Sequence, residues 1–267
     1  MVVSFDKLKD KQRLFLISGP CVVENEDVCM RTAEETLRIC QNLNIHYIFK
    51  SSFVKANRTS ISSFTGIGDK EALEIINKVG KTLNIATTTD VHSEEDVVLA
   101  ADYVDIIQIP AFLCRQTSLL EAAGKTGKII NIKKGQFMSP AAMEFAAEKV
   151  KSTGNEKVLL TERGNSFGYQ DLVVDFRSIP IMQQFAPVVM DCTHALQKPN
   201  APKGVTGGTP QFIETMARAA VSIGVEGLFI ETHPYPDAAL SDGANMLPLD
   251  QMEELLTKLV SIHNSIK

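Results

Sequence analysis

The sequence predicts an α/β protein built as a single (β/α)8 TIM barrel. Three observations carry this. Short apolar, β-branched runs alternate with helix-length amphipathic segments along the whole chain. The 267 residues match the roughly 250 that one such barrel needs. No GxGxxG follows a strand-like run, so the doubly wound dinucleotide fold lacks its main signal. One barrel domain over 1–267 is expected, with 1–13 as an N-terminal extension.

The elements follow in order. LFLISGP (14–20) is the first strand. Asn25, a favoured N-cap type, precedes the helical pattern of 27–43. HYIFKSS (46–52) is the second strand, and Asp69 precedes a second helix over 70–83. IATTTD (85–90), DIIQIP (105–110), IINIKKG (129–135) and KVLLTERG (157–164) supply strands three to six. Ser139–Pro140 and Thr209–Pro210 each set a cap residue before a proline at a first helical position. VVMDCTH (188–194) and GLFIETHP (227–234) are the last strands, and 249–264 is an amphipathic closing helix. The longest loop-like stretch, 195–209, is rich in Gly, Pro and Lys and suits a mobile active-site loop.

Composition excludes several classes. With 44% hydrophobic and 22% charged residues the chain is ordinary for a globular protein. A formal net charge of −5 argues against general nucleic-acid binding. No apolar run approaches the ~18 residues of a membrane span. The charged start, 1–14, does not read as a signal peptide. Five scattered cysteines without a CxxC pair do not form a disulfide framework, and the expected compartment is the reducing cytoplasm.

Barrel strands alternate inward and outward, and catalytic residues gather at their C-terminal ends. Parity aligns Ile48, Lys50 and Ser52; Ile106, Gln108 and Pro110; Asn131 and Lys133; and Leu159, Thr161 and Arg163. It favours Lys133 over Lys134 as the inward lysine. On strands seven and eight it aligns Met190, Cys192 and His194, and Phe229, Glu231 and His233. Lys50, Lys133 and Arg163 should therefore share one mouth, with Lys55, Arg58 and Arg115 in nearby loops. Cations crowded in a cavity repel and lose solvation, and a multiply anionic ligand offsets that. Arginine reads phosphate or carboxylate oxygens bidentately. The expected ligand is phosphorylated and also carboxylated.

Cys21, His194, Glu231 and Asp242 fall at the ends of strands one, seven and eight, which become neighbours when a barrel closes. A thiolate, an imidazole and two carboxylates suit a divalent transition metal. His233 is a rival ligand, and a merely buried Cys21 with a hydrogen-bonded His194 is the alternative. Cys29, Cys40, Cys114 and Cys192 read as packing, and His46 and His263 as structural or exposed. Asp90, with His92 after strand three, could hold a water or a sugar hydroxyl.

These segments resemble the 3-deoxy-D-manno-octulosonate 8-phosphate synthases. The likeness rests on GPCVVE (19–24), FKSSFVKANRTS (49–60), TTDVH (88–92), IQIPAFLCRQT (107–117), NIKKGQF (131–137), LTERGNSFGY (160–169), DFRSIPIM (175–182) with DCTHALQ (191–197), and ETHPYPDAALSDGANMLPL (231–249). KANRTS differs from the K-P-R-T type motif of the related 3-deoxy-arabino-heptulosonate 7-phosphate synthases. The resemblance implies a barrel, usually tetrameric, that condenses phosphoenolpyruvate with D-arabinose 5-phosphate for Kdo and lipopolysaccharide synthesis. It implies that Lys50, Ser52, Lys55, Gln108, Ala111, Lys133, Gln136 and Arg163 hold phosphoenolpyruvate, and that Asn57, Arg58 and Thr59 hold the sugar phosphate. It implies that Arg115 reaches a neighbouring subunit's site, and that Cys21 with His194, Glu231 and Asp242 marks the metal-dependent class, where another class has Asn at position 21. His194, Lys50, Asp242 and Asp90 are the expected catalytic groups. Thr59 stands where Ser is frequent, and 195–209 offers no carried-over residue. The rivals are the seven-carbon synthase, a Schiff-base aldolase using Lys133 or Lys50, and a non-catalytic sugar-phosphate binding protein.

Overall fold

A computed structural model describes residues 4–56, 64–169, 171–201 and 205–267. Its frame is a closed barrel of eight parallel strands. In chain order they are β1 (Phe15–Gly19), β2 (His46–Lys50), β3 (Ala86–Asp90), β4 (Ile106–Ile109), β5 (Ile129–Lys133), β6 (Val158–Glu162), β7 (Val188–Asp191) and β8 (Gly227–His233). Each pairs with the next, and β1 closes on β8 with Phe15 opposite Gly227 and Gly19 opposite Glu231. The predicted fold class is thus the observed one.

Helices α1 (Glu26–Asn42), α2 (Asp69–Leu83), α3 (Glu94–Ala101), α4 (Thr117–Lys125), α5 (Met143–Lys151), α6 (Ser178–Met182), α7 (Ile213–Ser222) and α8 (Met252–Ser265) follow the strands. Asn25 caps α1, its side chain accepting from the Val28 N–H at 2.9 Å. Asp69 is one residue inside α2, behind Gly68. The two prolines start turns rather than α-helices: Met143 and Ile213, three residues on, begin α5 and α7. The expected loop at 195–209 instead carries an antiparallel hairpin of Gln197–Ala201 and Val205–Gly208. A second hairpin, Asn165–Phe167 with Asp171–Val173, follows β6.

Inward parity makes two cores. Phe15, Ile17, Ile48, Ala86, Ile106, Ile129, Leu159, Val189 and Phe229 fill the barrel's lower interior, and Leu8 joins them from a short helix over Phe5–Lys9. The opposite parity packs against the helices in a core that also holds Cys29, Cys40, Cys114 and Cys192. Above the inner plug, every strand but β1, which ends at Gly19, turns to polar residues, and these form the site.

At the other end, His46 opens β2. Burial, then Arg13 and Lys7, hold its pKa down to about 4. An unfolded histidine titrates near 6.5. Between those values the unfolded chain takes a proton that the folded chain refuses. Stability present above about pH 6.5 therefore declines as pH falls toward 4. His46→Gln should flatten that decline in thermal melts recorded from pH 7 to 5; an unchanged slope would remove His46 as its source.

Candidate active site

Gly19 ends β1 where the backbones of β1 and β2 nearly touch: a Cβ there would lie 2.1 Å from the Lys50 carbonyl oxygen. This close approach brings Cys21, two residues on, beside Lys50. The Lys50 ammonium donates to the Cys21 carbonyl at 3.0 Å, the Ser52 hydroxyl at 3.0 Å and Glu231 Oε1 at 2.9 Å. Burial opposes the charge on Lys50, but Glu231 and Asp90 overcome it and hold the pKa above the ordinary lysine value.

Cys21, Glu231 and Asp242 offer ligand atoms that all lie within 4.8 Å of one another. Burial first, and Glu231 next, push the Cys21 thiol up to about 12. Glu231 Oε2 is buried without a hydrogen-bond partner among the described residues. Burial would raise the Glu231 pKa, yet Lys50 and His194 lower it to about 2. Asp242 presents its carboxylate from a left-handed backbone, φ 49°, a conformation that Asp tolerates better than most residues. His194 adjoins this group through Glu231, Nε2 to Oε2 at 3.6 Å. His233, the rival ligand, stands outside it: its Nδ1 accepts from the Tyr235 N–H at 2.9 Å, and its Nε2 faces Glu24 at 3.7 Å. The three donors, Cys21 and Glu231 buried and Asp242 half-buried, fit a divalent cation of transition-metal type.

Strand β7 differs from expectation. Val189 and Asp191 point inward, while Met190 and Cys192 face the helices. Sequence parity was anchored on His194, but the strand ends at Asp191 and a 3-10 turn over His194–Leu196 swings His194 back to the mouth. Asp191 was therefore missed, although a carboxylate inside a buried apolar run is itself a signal. Its Oδ2 takes Lys133 at 2.8 Å and His194 Nδ1 at 2.9 Å, and its Oδ1 accepts the backbone N–H groups of Thr193 and His194. Burial opposes its ionisation, but His194 and Lys133 hold the carboxyl well below the usual range.

The cations are not the crowd that parity suggested. Lys50 has Glu231, Lys133 has Asp191, and Lys55 has Asp242 at 2.7 Å. Arg163 is the exception. It is 4% exposed, and among the described residues no carboxylate lies within the 4.0 Å of an ion pair. One Nη2–H reaches Gln197 Oε1 at 3.1 Å, and Nη1 is buried without a partner. Lys134, the outward lysine, is enclosed behind the site against Glu162, Gly164 and Asn165. Gly164, at φ +85°, supplies the left-handed turn next to Arg163, its N–H donating to Glu162.

A belt of polar side chains floors the cleft. Thr161 Oγ1 donates to Asn131 Oδ1 at 2.6 Å, and Asn131 Nδ2 to Gln108 Oε1 at 3.0 Å. Gln108 Nε2 donates to Asp90 Oδ1, and the Ser52 hydroxyl to Asp90 Oδ2. Burial disfavours the Asp90 anion, but Lys50 and Lys133 hold its pKa below the ordinary range. Asn131→Leu should cost on the order of 2–5 kcal/mol, because it leaves the Gln108 carbonyl and the Thr161 hydroxyl unpaired. Urea unfolding measures this; a loss under about 0.5 kcal/mol, the size of an ordinary surface substitution, would show that the belt is not a unit.

The cleft above is lined by Lys50, Ser52, Lys55, Asp90, Lys133 and Arg163, with Ala111, Gln136, His194, Gln197 and Glu231. The sequence does not single out Gln197, because its Gly-, Pro- and Lys-rich segment reads as a loop. Arg115 is exposed and apart from the cleft. Asn57, Arg58 and Thr59 lie outside the described residues. A larger groove lies at the opposite end of the barrel, near Phe5, Lys128, Lys157 and Glu226; it shares none of the strand-end chemistry.

The family model described as "DAHP synthetase I family" matches residues 7–267. The chain belongs to this family. Within it, the chain is similar to proteins named 2-dehydro-3-deoxyphosphooctonate aldolase. It is 52% identical to one from Koribacter versatilis, over 97% of this chain and 96% of the relative. It is 50% identical to one from Geobacter metallireducens, over 98% and 96%, and 50% identical to one from Desulfotalea psychrophila, over 96% and 92%. For this member of the DAHP synthetase I family, the likeness spans every strand end described above, from Cys21 to Asp242.

Proposed function

We propose that the protein condenses phosphoenolpyruvate with D-arabinose 5-phosphate and water, giving 3-deoxy-D-manno-octulosonate 8-phosphate and phosphate, a step of Kdo and lipopolysaccharide synthesis. The observation that carries this is Arg163, a buried guanidinium on the cleft whose Nη1 has no partner, and whose charge no carboxylate pairs, among the described residues. It is a preformed anion site. The relatives carry the octonate name, and KANRTS departs from the seven-carbon pattern, so the heptulosonate reading is not favoured.

In the reaction, C3 of phosphoenolpyruvate bonds to the sugar aldehyde carbon, water adds at C2, and the C2–O bond to phosphate breaks. Arg163 and Lys133 take the phosphate and carboxylate of phosphoenolpyruvate, with Lys50, Lys55, Ser52, Gln108, Gln136 and the Ala111 backbone around it. Asn57, Arg58 and Thr59 take the sugar phosphate. Asp90, Lys50, Asp242 and His194 are the proposed catalytic groups. His194 Nδ1 faces the Asp191 carboxylate, which holds the proton there and leaves Nε2 toward the cleft. Asp90 orients a sugar hydroxyl or the water. Cys21, His194, Glu231 and Asp242 would hold the metal, which supplies Lewis acidity toward the aldehyde or the water. Bound substrates held this way gain orientation rather than new chemistry from the protein. The Schiff-base route is disfavoured: Lys50 is kept protonated by Glu231, and an ammonium is no nucleophile.

We further place the enzyme in the cytoplasm as a homotetramer of single catalytic domains. Exposed Arg115, three residues after exposed Phe112, would face a neighbouring subunit's site. No helix among the described residues is long and apolar enough to cross a membrane, and no nucleic-acid partner is proposed.

The test is phosphate release. Phosphoenolpyruvate alone should release none, arabinose 5-phosphate should start turnover, and a chelator should stop it. Equal rates with erythrose 4-phosphate would overturn the substrate, and binding without phosphate release in the presence of metal would leave only a binding protein.

A further inference from the structure

The ammonium of Lys55 lies 3.0 Å from Cys21 Sγ and 2.7 Å from Asp242 Oδ2. These are two of the three groups whose ligand atoms converge within 4.8 Å. A metal bound to them would sit about 2.3 Å from the sulfur and about 2.0–2.2 Å from the oxygen. The ammonium and a metal would both bridge the same sulfur and oxygen, and like charges that close repel. Lys55 also lines the substrate cleft, beside Lys50, Lys133 and Arg163.

Resting on the metal reading above, we infer that Lys55 is a positioning residue that couples metal to anionic substrate: its ammonium and the metal are alternative occupants of the Cys21–Asp242 site. When the metal enters, the ammonium must turn away into the cleft, whose own carboxylates, Asp90 and Glu231, are already paired with Lys50. The partner of complementary charge there is the phosphate or carboxylate of phosphoenolpyruvate. Metal binding thus frees a cation for the substrate, and substrate binding removes a competitor of the metal. By linkage the two effects are equal. No covalent step is involved, and the amine keeps its proton throughout.

The experiment uses metal-stripped full-length protein titrated with Co2+, followed by the sulfur-to-cobalt charge-transfer band of Cys21. Lys55→Met, and Lys55→Gln with its polar head, should each bind Co2+ about tenfold tighter or more without substrate, because the two charge-assisted contacts no longer compete. Arg163→Met, which removes a cation from the same cleft but not from the ligand triangle, should shift Co2+ binding by less than about threefold if only distant electrostatics act. Phosphoenolpyruvate should tighten Co2+ binding in the unaltered protein and do so much less in the Lys55 variants. Lys55 variants binding Co2+ no tighter than Arg163→Met would overturn the inference while the band itself upheld the metal site. No band in any variant, or a band that survives Cys21→Ser, would remove the metal reading and this inference with it.

Discussion

Arg163→Met should lower kcat/KM for phosphoenolpyruvate by about 10²–10³-fold and leave the fold as stable as before or more stable. The two effects have one cause. Burial disfavours the guanidinium's charge, and only more distant Asp191 and Glu162 offset it. Among the described residues its guanidinium makes one side-chain hydrogen bond, to Gln197, and Nη1 has no partner. A buried charge without a carboxylate partner costs stability, and methionine fills similar space without that cost. Each kcal/mol recovered would raise Tm by about 2–4 °C for a chain of this size. Steady-state kinetics and thermal melts on the same preparation decide it. Lower stability with unchanged KM would make Arg163 a structural residue and remove the main support for an anion site. A loss of function without loss of stability is the trade-off expected where a site is held charged for its ligand.

Removing the metal should be as severe. Exhaustive chelation should reduce turnover by more than about 10²-fold, with activity restored by added divalent metal. Cys21→Asn should lower metal affinity strongly, because a neutral amide replaces a thiolate. Its residual activity should be indifferent to chelator, since the resembled family includes a class with Asn at this position. The buried thiol, pushed up to about 12 without a bound metal, should lose its proton on binding, so metal uptake by the unaltered protein releases protons. Full activity after chelation, with no metal by elemental analysis, would end the metal reading.

The barrel was legible because seven of the eight strands carry the same signal, an apolar or β-branched run with a polar residue at or next to its C-terminal end, and β1 ends instead at Gly19. The same alternation placed Lys50, Lys133 and Arg163 on one cleft and put Lys134 behind it. It failed on β7, where the turn after Asp191 changes the phase and His194 is a poor anchor for the strand. It also could not show the pairing. Lys133 meets Asp191 across the barrel interior, between strands that are not neighbours, and only closure sets that distance. The expectation of mutually repelling cations followed from seeing one sign of charge at a time. Lys55 was legible as a substrate cation but not as a partner of Cys21, because the contact joins segments 34 residues apart in sequence. The hairpin over Gln197–Ala201 and Val205–Gly208 was hidden by its Gly, Pro and Lys content, which reads as loop.

The belt beneath the cleft has a consequence for proton traffic. From Thr161 through Asn131 and Gln108 to Asp90, every donor points the same way, and two of the links are amides. An amide N–H does not give up its proton to a neighbour near neutral pH, so this row conducts none. The barrel interior below is apolar. The floor is therefore an insulator. Protons released as water adds to the substrate would therefore leave through the open mouth and exchange with solvent on that side.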